Sequence, residues 1–137
     1  MNKLFYSSKI FFHFINILVI FIYLFPGSIV GWFLYNDLST QPNITADFKS
    51  DLIDISSNHF YTFFILSFLG IVSYLQDKKL NLIIIYLFLI SIIVELLHIF
   101  IPQRTFQYED LFGNVTAVLS VFLIYKTLKL KKFNEKN

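Results

Sequence analysis

Four stretches of the 137-residue chain run for about twenty residues with almost no charged side chain. They are residues 10–36, 55–76, 80–101 and 111–128, interrupted only by Glu95 and Lys126. A helix that crosses the roughly 30 Å hydrocarbon core of a bilayer needs about 20 apolar residues, and it satisfies its own backbone hydrogen bonds there. The strands of a β-barrel would instead alternate apolar and polar residues over about 10 positions. The pattern therefore predicts an all-α bundle of four transmembrane helices.

Composition excludes several other classes of protein. The chain is 56% apolar, 20% aromatic and 15% charged, whereas soluble domains average about 45–50% apolar and about 25% charged. So few charges beside 18 phenylalanines exclude a disordered chain, a coiled coil and a nucleic-acid-binding arm. The absence of cysteine excludes disulfides, cysteine-ligated zinc and thiol nucleophiles. The length predicts a single domain over residues 1–137.

Breaks in the apolar stretches set the expected helix bounds. We expect helices at about 10–26, 57–76, 80–101 and 111–129, with an outer loop at about 36–56. The Pro-Gly pair at 26–27 ends the first helix, which lacks the small-residue cleavage site of a signal peptide, and residues 28–35 then lie in the membrane interface. The serine pair at 56–57 is expected to cap the second helix, and residues 45–53 to form a short surface helix.

The charged residues predict the orientation in the membrane. Most acidic residues fall in the first and third connections, whereas every lysine except Lys49 falls in the N-terminal segment, the second connection or the C-terminal segment. Four spanning helices place these three lysine-rich segments on one side, and lysine favours the cytoplasmic side. The predicted topology is therefore N-in/C-in, and the net charge of +2 reflects contact with anionic lipid rather than with nucleic acid.

Several polar residues stand at or inside the predicted outer ends of the helices. Glu95 lies within the third stretch, and a carboxylate at mid-span costs about 2.5–3.5 kcal/mol. The second helix begins on the outer side, the third ends there and the fourth begins there, so their polar residues are expected to converge. Arg104 is the only arginine, and its planar donor fork suits a carboxylate or a phosphate. This group, called the polar layer below, consists of His59, Glu95, Arg104, Asp110 and Asn114, with Asn58 and His98 as secondary members.

Three kinds of chemistry match parts of the polar layer. Glu95-x-x-His98 matches half of a di-iron helix motif, but that site needs a second such motif and two more glutamates, so no metal and no other cofactor is expected. Serine hydrolysis is disfavoured because the Gly-x-Ser-x-Gly elbow is lacking. Acid–base chemistry or anion recognition needs a histidine, carboxylates and an arginine, and all are present. Structural roles remain open for each residue, as a helix cap, a first-turn acid, an interhelical hydrogen bond or an ion pair.

Residues 95–114 carry these polar positions in a distinctive order. The glutamate late in one helix is followed by Pro102-x-Arg104, then by Asp110, and then by Asn114 at the opening of the next helix. This order resembles that of the VanZ-like membrane proteins. The polar opening of the second helix and the Pro-Gly pair after the first helix are also similar to the upstream part of that family.

The resemblance implies a four-helix integral membrane protein of the bacterial envelope, located in the inner membrane. The family takes its name from a member associated with teicoplanin-type glycopeptide resistance, and the likeness does not by itself extend that property to this chain. Two departures stand out. The family often has glycines after the asparagine, where residues 116–118 are Thr-Ala-Val, and Asn58 stands where an Asp-Lys pair is common.

The leading functional hypothesis is a VanZ-like envelope protein that recognises or modifies a polar-headed lipid or a cell-wall precursor. Arg104 would hold an anionic group, Glu95 and Asp110 would orient it or transfer protons, and His59 would be the titratable partner. The expected partners are membrane lipid and an anionic lipid-linked ligand, not nucleic acid. The alternative is a non-catalytic assembly or interaction subunit whose polar layer locks helix packing. A transporter is disfavoured because four helices are too few for paired repeats.

Overall fold

The protein is helical throughout the residues that the structure describes. The computed structural model describes residues 3–42, 46–49 and 54–135, which contain five α-helices and no strand. The all-α class predicted from the sequence is therefore confirmed for this part of the chain. The helices are α1 (Lys3–Leu24), α2 (Ile29–Tyr35), α3 (Ser57–Ser73), α4 (Leu80–Leu97) and α5 (Tyr108–Asn134), and a 3-10 turn (His98–Phe100) follows α4.

Three helices are long and apolar enough to cross a membrane. The apolar segments are Tyr6–Leu24, Leu80–Phe100 and Tyr108–Lys132. Helix α3 is also apolar, but its 17 residues extend only about 26 Å at about 1.5 Å per residue. Large apolar side chains point away from the protein, with Phe14 61% and Ile17 67% exposed. Soluble monomers rarely expose apolar patches of this extent, so the surface is compatible with a membrane protein.

The helix ends differ from the expected bounds in ways that local chemistry explains. Helix α1 ends at Leu24, two residues before the Pro-Gly pair. The regular part of α4 ends at Leu97, and the 3-10 turn leads to Ile101, which is extended at φ −95° and ψ 127°. Ile101 precedes Pro102, and the ring of a proline disfavours helical backbone in the residue before it. The chain therefore leaves the helix before the proline.

The segment expected in the membrane interface forms the short helix α2. Gly27 has a φ of +82°, in the left-handed region that glycine adopts without a steric cost, and this turns the chain after α1. Ser28 then caps α2, because its hydroxyl oxygen accepts a hydrogen bond from the Gly31 N–H at 2.9 Å. Trp32 and Phe33 on α2 are 53% and 82% exposed, which is compatible with an aromatic residue pair at a lipid interface.

The N-terminal cap of α3 corrects the sequence prediction. Ser56 stands at the N-cap position, but its side chain makes no capping hydrogen bond. Instead the carboxylate of Asp47 accepts a hydrogen bond from the Ser57 N–H at 3.1 Å, because a loop acid also satisfies a first-turn donor and the helix dipole. The short helix expected at residues 45–53 lies largely outside the described residues. Within that range, Phe48 forms an isolated antiparallel bridge instead.

Helices α3 and α5 make the most extensive helix–helix contact among the described residues. Gly113 allows this approach, because a Cβ atom there would lie 2.7 Å from the carbonyl oxygen of Ser56 and 3.1 Å from the Cβ of His59. Ala117 and Val118, one turn further along α5, are fully buried. One glycine followed by small and branched residues therefore packs the two helices closely without further glycines.

The start of α1 is joined to the connection between α3 and α4. Lys9 forms an ion pair with Asp77, and His13 Nε2 lies 2.8 Å from the hydroxyl of Tyr74. The hydrogen bond from Lys9, and next the one from the backbone N–H of Lys79, hold the pKa of Asp77 below its usual 3.8. This region, called the lysine end below, also carries Lys78, Lys129 and Lys132 around one cavity. The polar layer lies at the opposite ends of these helices.

We expect Asp77→Asn to lower the midpoint of thermal unfolding slightly at pH 7. A carboxyl group whose pKa is lower in the folded protein stabilises it above the unfolded pKa, and this contribution fades as the pH falls. The difference from wild type should therefore be complete above about pH 4 and shrink at lower pH, as measured by circular dichroism in detergent. Glu135→Gln at the end of α5 is the control. A difference that stays constant to low pH would contradict the assignment.

Candidate functional site

The polar layer forms where the start of α3, the end of α4 and the start of α5 meet. His59 on α3 lies between two carboxylates: its Nε2 is 3.4 Å from Asp110 Oδ2, and its Nδ1 is 3.9 Å from Glu95 Oε2. One ligand atom from each of the three residues lies within 4.8 Å of the others. Glu95 is fully buried and Asp110 is 7% exposed. The expected convergence of His59, Glu95 and Asp110 is therefore present in the structure.

Asn114 determines how the imidazole of His59 is oriented. His59 Nδ1 lies 3.2 Å from the side-chain oxygen of Asn114. Because an amide oxygen only accepts hydrogen bonds, Nδ1 carries the hydrogen, and Nε2 of the neutral ring presents a lone pair. That lone pair faces the oxygen of Asp110. Asn114 is itself fully buried one turn after Asp110, so the two polar residues share a face of α5.

Glu95 has one oxygen that is hydrogen-bonded and one that is not. Its Oε1 accepts a hydrogen bond from the Gln107 N–H at 3.0 Å. Its Oε2 is buried and accepts no hydrogen bond from the described residues, although His98 Nδ1 is only 3.2 Å away. The reason lies on the other side of that ring, where His98 Nε2 lies 3.0 Å from the carbonyl oxygen of Tyr23. His98 donates through Nε2, so in the neutral ring Nδ1 presents a lone pair to Glu95.

Tyr23 belongs to this site although the sequence analysis did not single it out. Its ring centroid lies 4.9 Å from that of His59, edge to face, and 6.3 Å from that of His98, stacked. Helix α1 is thus the fourth helix that contributes to the site, through a buried tyrosine. A tyrosine near the end of an apolar helix is typical of a membrane interface, and that ordinary position gave no signal of a role in the site.

Arg104 bonds to the end of α1 and lies beside the carboxylates without pairing with either. Its Nε donates to the carbonyl oxygen of Phe25 at 3.3 Å, and an Nη donates to that of Ile22 at 3.1 Å. These carbonyls belong to the last turn of α1 and to the residue after it, where backbone oxygens lack partners within the helix. Burial lowers the pKa of Arg104, and Tyr23, Glu95 and Asp110 act in the opposite direction.

Two neighbouring cavities open onto the polar layer. The larger has a volume of about 620 Å³. It is lined by the outer loop before α3 and by the connection between α4 and α5, with His59 and Asp110 in its wall. The smaller, of about 140 Å³, lies between α1 and α3 and is lined by Tyr23, His59 and Arg104 among others. Asn58 lines both cavities and donates a hydrogen bond to the Pro42 carbonyl at 3.0 Å. His59 therefore contacts both spaces, whereas Asn58 tethers the outer loop.

Comparison with family models, with curated proteins and with solved structures finds no match for this chain. The likeness to the VanZ-like proteins therefore stays a prediction from residues 95–114. The structure brings His59, Glu95, His98, Asp110 and Asn114 together, and it places Arg104 and Asn58 at the edges of the group.

Proposed function

We propose that this chain is a VanZ-like protein of the bacterial inner membrane that binds or modifies the polar head of a lipid or of a lipid-linked cell-wall precursor. In this proposal α1, α3, α4 and α5 all cross the membrane, with both ends of the chain inside. The polar layer then faces outward.

One observation carries the proposal: His59, Glu95 and Asp110 come from three different helices to one buried point beside a cavity of about 620 Å³. Burying two carboxylates and an imidazole is unfavourable unless they are paired or used. Ionisable side chains buried among apolar membrane-type helices belong to functional sites more often than to structural ones. The cavity gives a polar head access to His59 and Asp110, and the apolar helix surfaces accommodate lipid chains.

The distribution of lysine supports the proposed orientation. Lys9, Lys78, Lys129 and Lys132 lie at the lysine end, opposite the polar layer. Lysine-rich segments favour the cytoplasmic side, where anionic headgroups are abundant. The exposed Trp32 of α2 lies on the side of the polar layer, as expected of an aromatic anchor at the outer interface.

A second candidate function is supported by the contacts of Arg104 and Gln107. Arg104 joins the α4–α5 connection to α1, and the Gln107 N–H binds Glu95. These bonds would also be expected in a non-catalytic assembly subunit whose polar layer serves only to hold the helices together.

The two candidates differ in what happens to bound lipid when His59 is changed. We expect wild-type protein, extracted with its surrounding lipid in polymer-bounded discs, to be enriched in a particular anionic lipid relative to the whole membrane, as measured by mass spectrometry. His59→Gln should abolish most of this enrichment, about tenfold or more, while circular dichroism and abundance stay unchanged, because glutamine keeps a donor near Asn114.

Glu109→Gln is the matched control, because Glu109 lines the same cavity next to Asp110 but is not one of the three residues that converge. It should retain the enriched lipid. If wild type and His59→Gln carry the same lipids while both remain folded, lipid recognition is wrong and the assembly role is supported.

A further inference from the structure

We propose that His59, Glu95 and Asp110 bind a divalent transition-metal cation, with Zn²⁺ as the preferred ion. The proposal names a cofactor for the site whose function is proposed above. It rests on that function only for the outward orientation, since metal binding itself can be measured without lipid.

A buried carboxylate oxygen of Glu95 lacks a hydrogen-bond donor in the part of the chain that the structure describes. Glu95 is fully buried, yet its Oε2 accepts no hydrogen bond among the described residues. The nearest nitrogens are His98 Nδ1 at 3.2 Å and His59 Nδ1 at 3.9 Å, and in the neutral rings neither has a hydrogen to give to this oxygen. His98 uses its hydrogen for the Tyr23 carbonyl and His59 uses its hydrogen for Asn114. A cation near this oxygen would give it the partner that the neutral imidazoles do not.

The imidazole of His59 and the carboxylate of Asp110 face each other. With Nδ1 occupied by Asn114, the lone pair of His59 Nε2 points toward Asp110 Oδ2 at 3.4 Å. A neutral ring nitrogen without hydrogen and an ionised carboxylate oxygen are both acceptors, and they do not bind each other directly. Two ligands of a tetrahedral Zn²⁺, at bond lengths of about 2.0–2.2 Å, lie about 3.4 Å apart. The observed separation therefore matches a pair of ligands that share one ion.

Hydrogen bonds with neighbouring residues orient the side chains of His59 and Glu95. A histidine that binds metal usually donates its other ring N–H to a carbonyl or carboxylate, which sets the tautomer and the ring orientation. The Asn114 oxygen does this for His59. The Gln107 N–H holds the other oxygen of Glu95 at 3.0 Å, which fixes the carboxylate group beside His59. Both ligands are thus fixed before an ion arrives.

The charge of the cavity favours entry of a cation. Among the described residues that line the cavity of about 620 Å³, four are acidic and one is basic. A cavity wall in which one sign of charge predominates raises the local concentration of ions of the opposite sign. An imidazole with two carboxylates suits Zn²⁺, whereas Ca²⁺ and Mg²⁺ prefer ligands that are all oxygen. A bound ion would also let this acidic wall hold the anionic head expected of the proposed ligand.

Metal binding is tested on the full chain in detergent, freed of lipid and treated with EDTA. Titration with Zn²⁺, followed by calorimetry and by elemental analysis, should show about one ion per chain. His59→Gln and Asp110→Asn should each weaken binding by at least about 100-fold, and Asn114→Ala, which changes only the orienting group, by about 10- to 100-fold. Glu109→Gln is the matched control and should bind Zn²⁺ like wild type.

A visible spectrum of bound Co²⁺ provides a second measurement, which reports the coordination geometry of the site. Its loss in folded His59→Gln would support the proposal even if Asp110→Asn fails to fold. Wild-type protein that binds no Zn²⁺, or that binds it equally in His59→Gln, would overturn the proposal. So would a preference for Ca²⁺. Zinc binding by protein that shows no lipid enrichment would refute the proposed function and leave the metal site intact.

Discussion

Gly113→Leu is expected to disrupt the packing of α3 against α5 and to lower the free energy of unfolding by about 3 kcal/mol. A Cβ atom at Gly113 would lie 2.7 Å from the carbonyl oxygen of Ser56 and 3.2 Å from the backbone nitrogen of Phe60. These are main-chain atoms, so no side-chain rotation relieves the clash and the two helices must separate. Inserting bulk into a well-packed site costs about 1–3 kcal/mol and occasionally more. Unfolding in detergent, followed by circular dichroism, measures the effect.

The same substitution should reach the polar layer, because Gly113 is adjacent to Asn114 and three residues from Asp110. Separation of α3 from α5 would lengthen the 3.4 Å distance between His59 and Asp110. We therefore expect Zn²⁺ binding to fall together with stability, and Gly113→Ala to show a smaller loss of both.

Leu119→Phe provides the control for added bulk. Leu119 lies on α5 and is 41% exposed, so a larger side chain there meets no neighbouring backbone. It should leave the free energy of unfolding within about 0.5 kcal/mol of wild type. If Gly113→Leu were as stable as Leu119→Phe, the close approach of the helices would not be needed for the fold.

Arg104→Met is expected to lower the free energy of unfolding by about 2 kcal/mol. Methionine keeps much of the length of the side chain but removes the donors that bind the carbonyl oxygens of Ile22 and Phe25. Hydrogen bonds to charged groups contribute about 1.5–3 kcal/mol, and their loss leaves half-buried carbonyls unsatisfied. Arg104→Lys should be intermediate, because an ammonium is a point charge without the planar fork that reaches two acceptors.

This prediction separates two roles for Arg104. If the arginine serves only an anionic ligand, the role it has in the leading functional hypothesis, both variants should be as stable as wild type and differ only in lipid enrichment. If it holds α1 as its hydrogen bonds indicate, both lose stability in the ligand-free protein. Lys49→Met is the control, since Lys49 is an exposed cation in the same cavity wall and its loss should leave unfolding unchanged.

Much of the fold could be predicted from the sequence because lipid-compatible helices depend on local composition. The uncharged stretches predicted helices close to α1, α3, α4 and α5, and a proline explains why α4 ends. Local patterns were less informative about caps. Ser56 matched the preferred residue type at an N-cap, yet Asp47, ten residues before Ser57, makes the capping hydrogen bond. A loop that folds back onto a helix is not visible in nearest-neighbour preferences.

The sequence by itself determined that the chain is helical and apolar, and it indicated which polar residues share one end of the helices. Only the tertiary structure decided which atoms of those residues face one another. It packs Tyr23 against His59. It directs the hydrogen bonds of Arg104 to backbone carbonyls at the end of α1, and it leaves one oxygen of Glu95 without a hydrogen-bond partner among the residues that it describes. The physical reason is the distance along the chain over which each interaction acts. Helix formation and burial in lipid follow from neighbours along the chain, whereas His59 and Asp110 are brought together by the packing of α3 on α5 at Gly113.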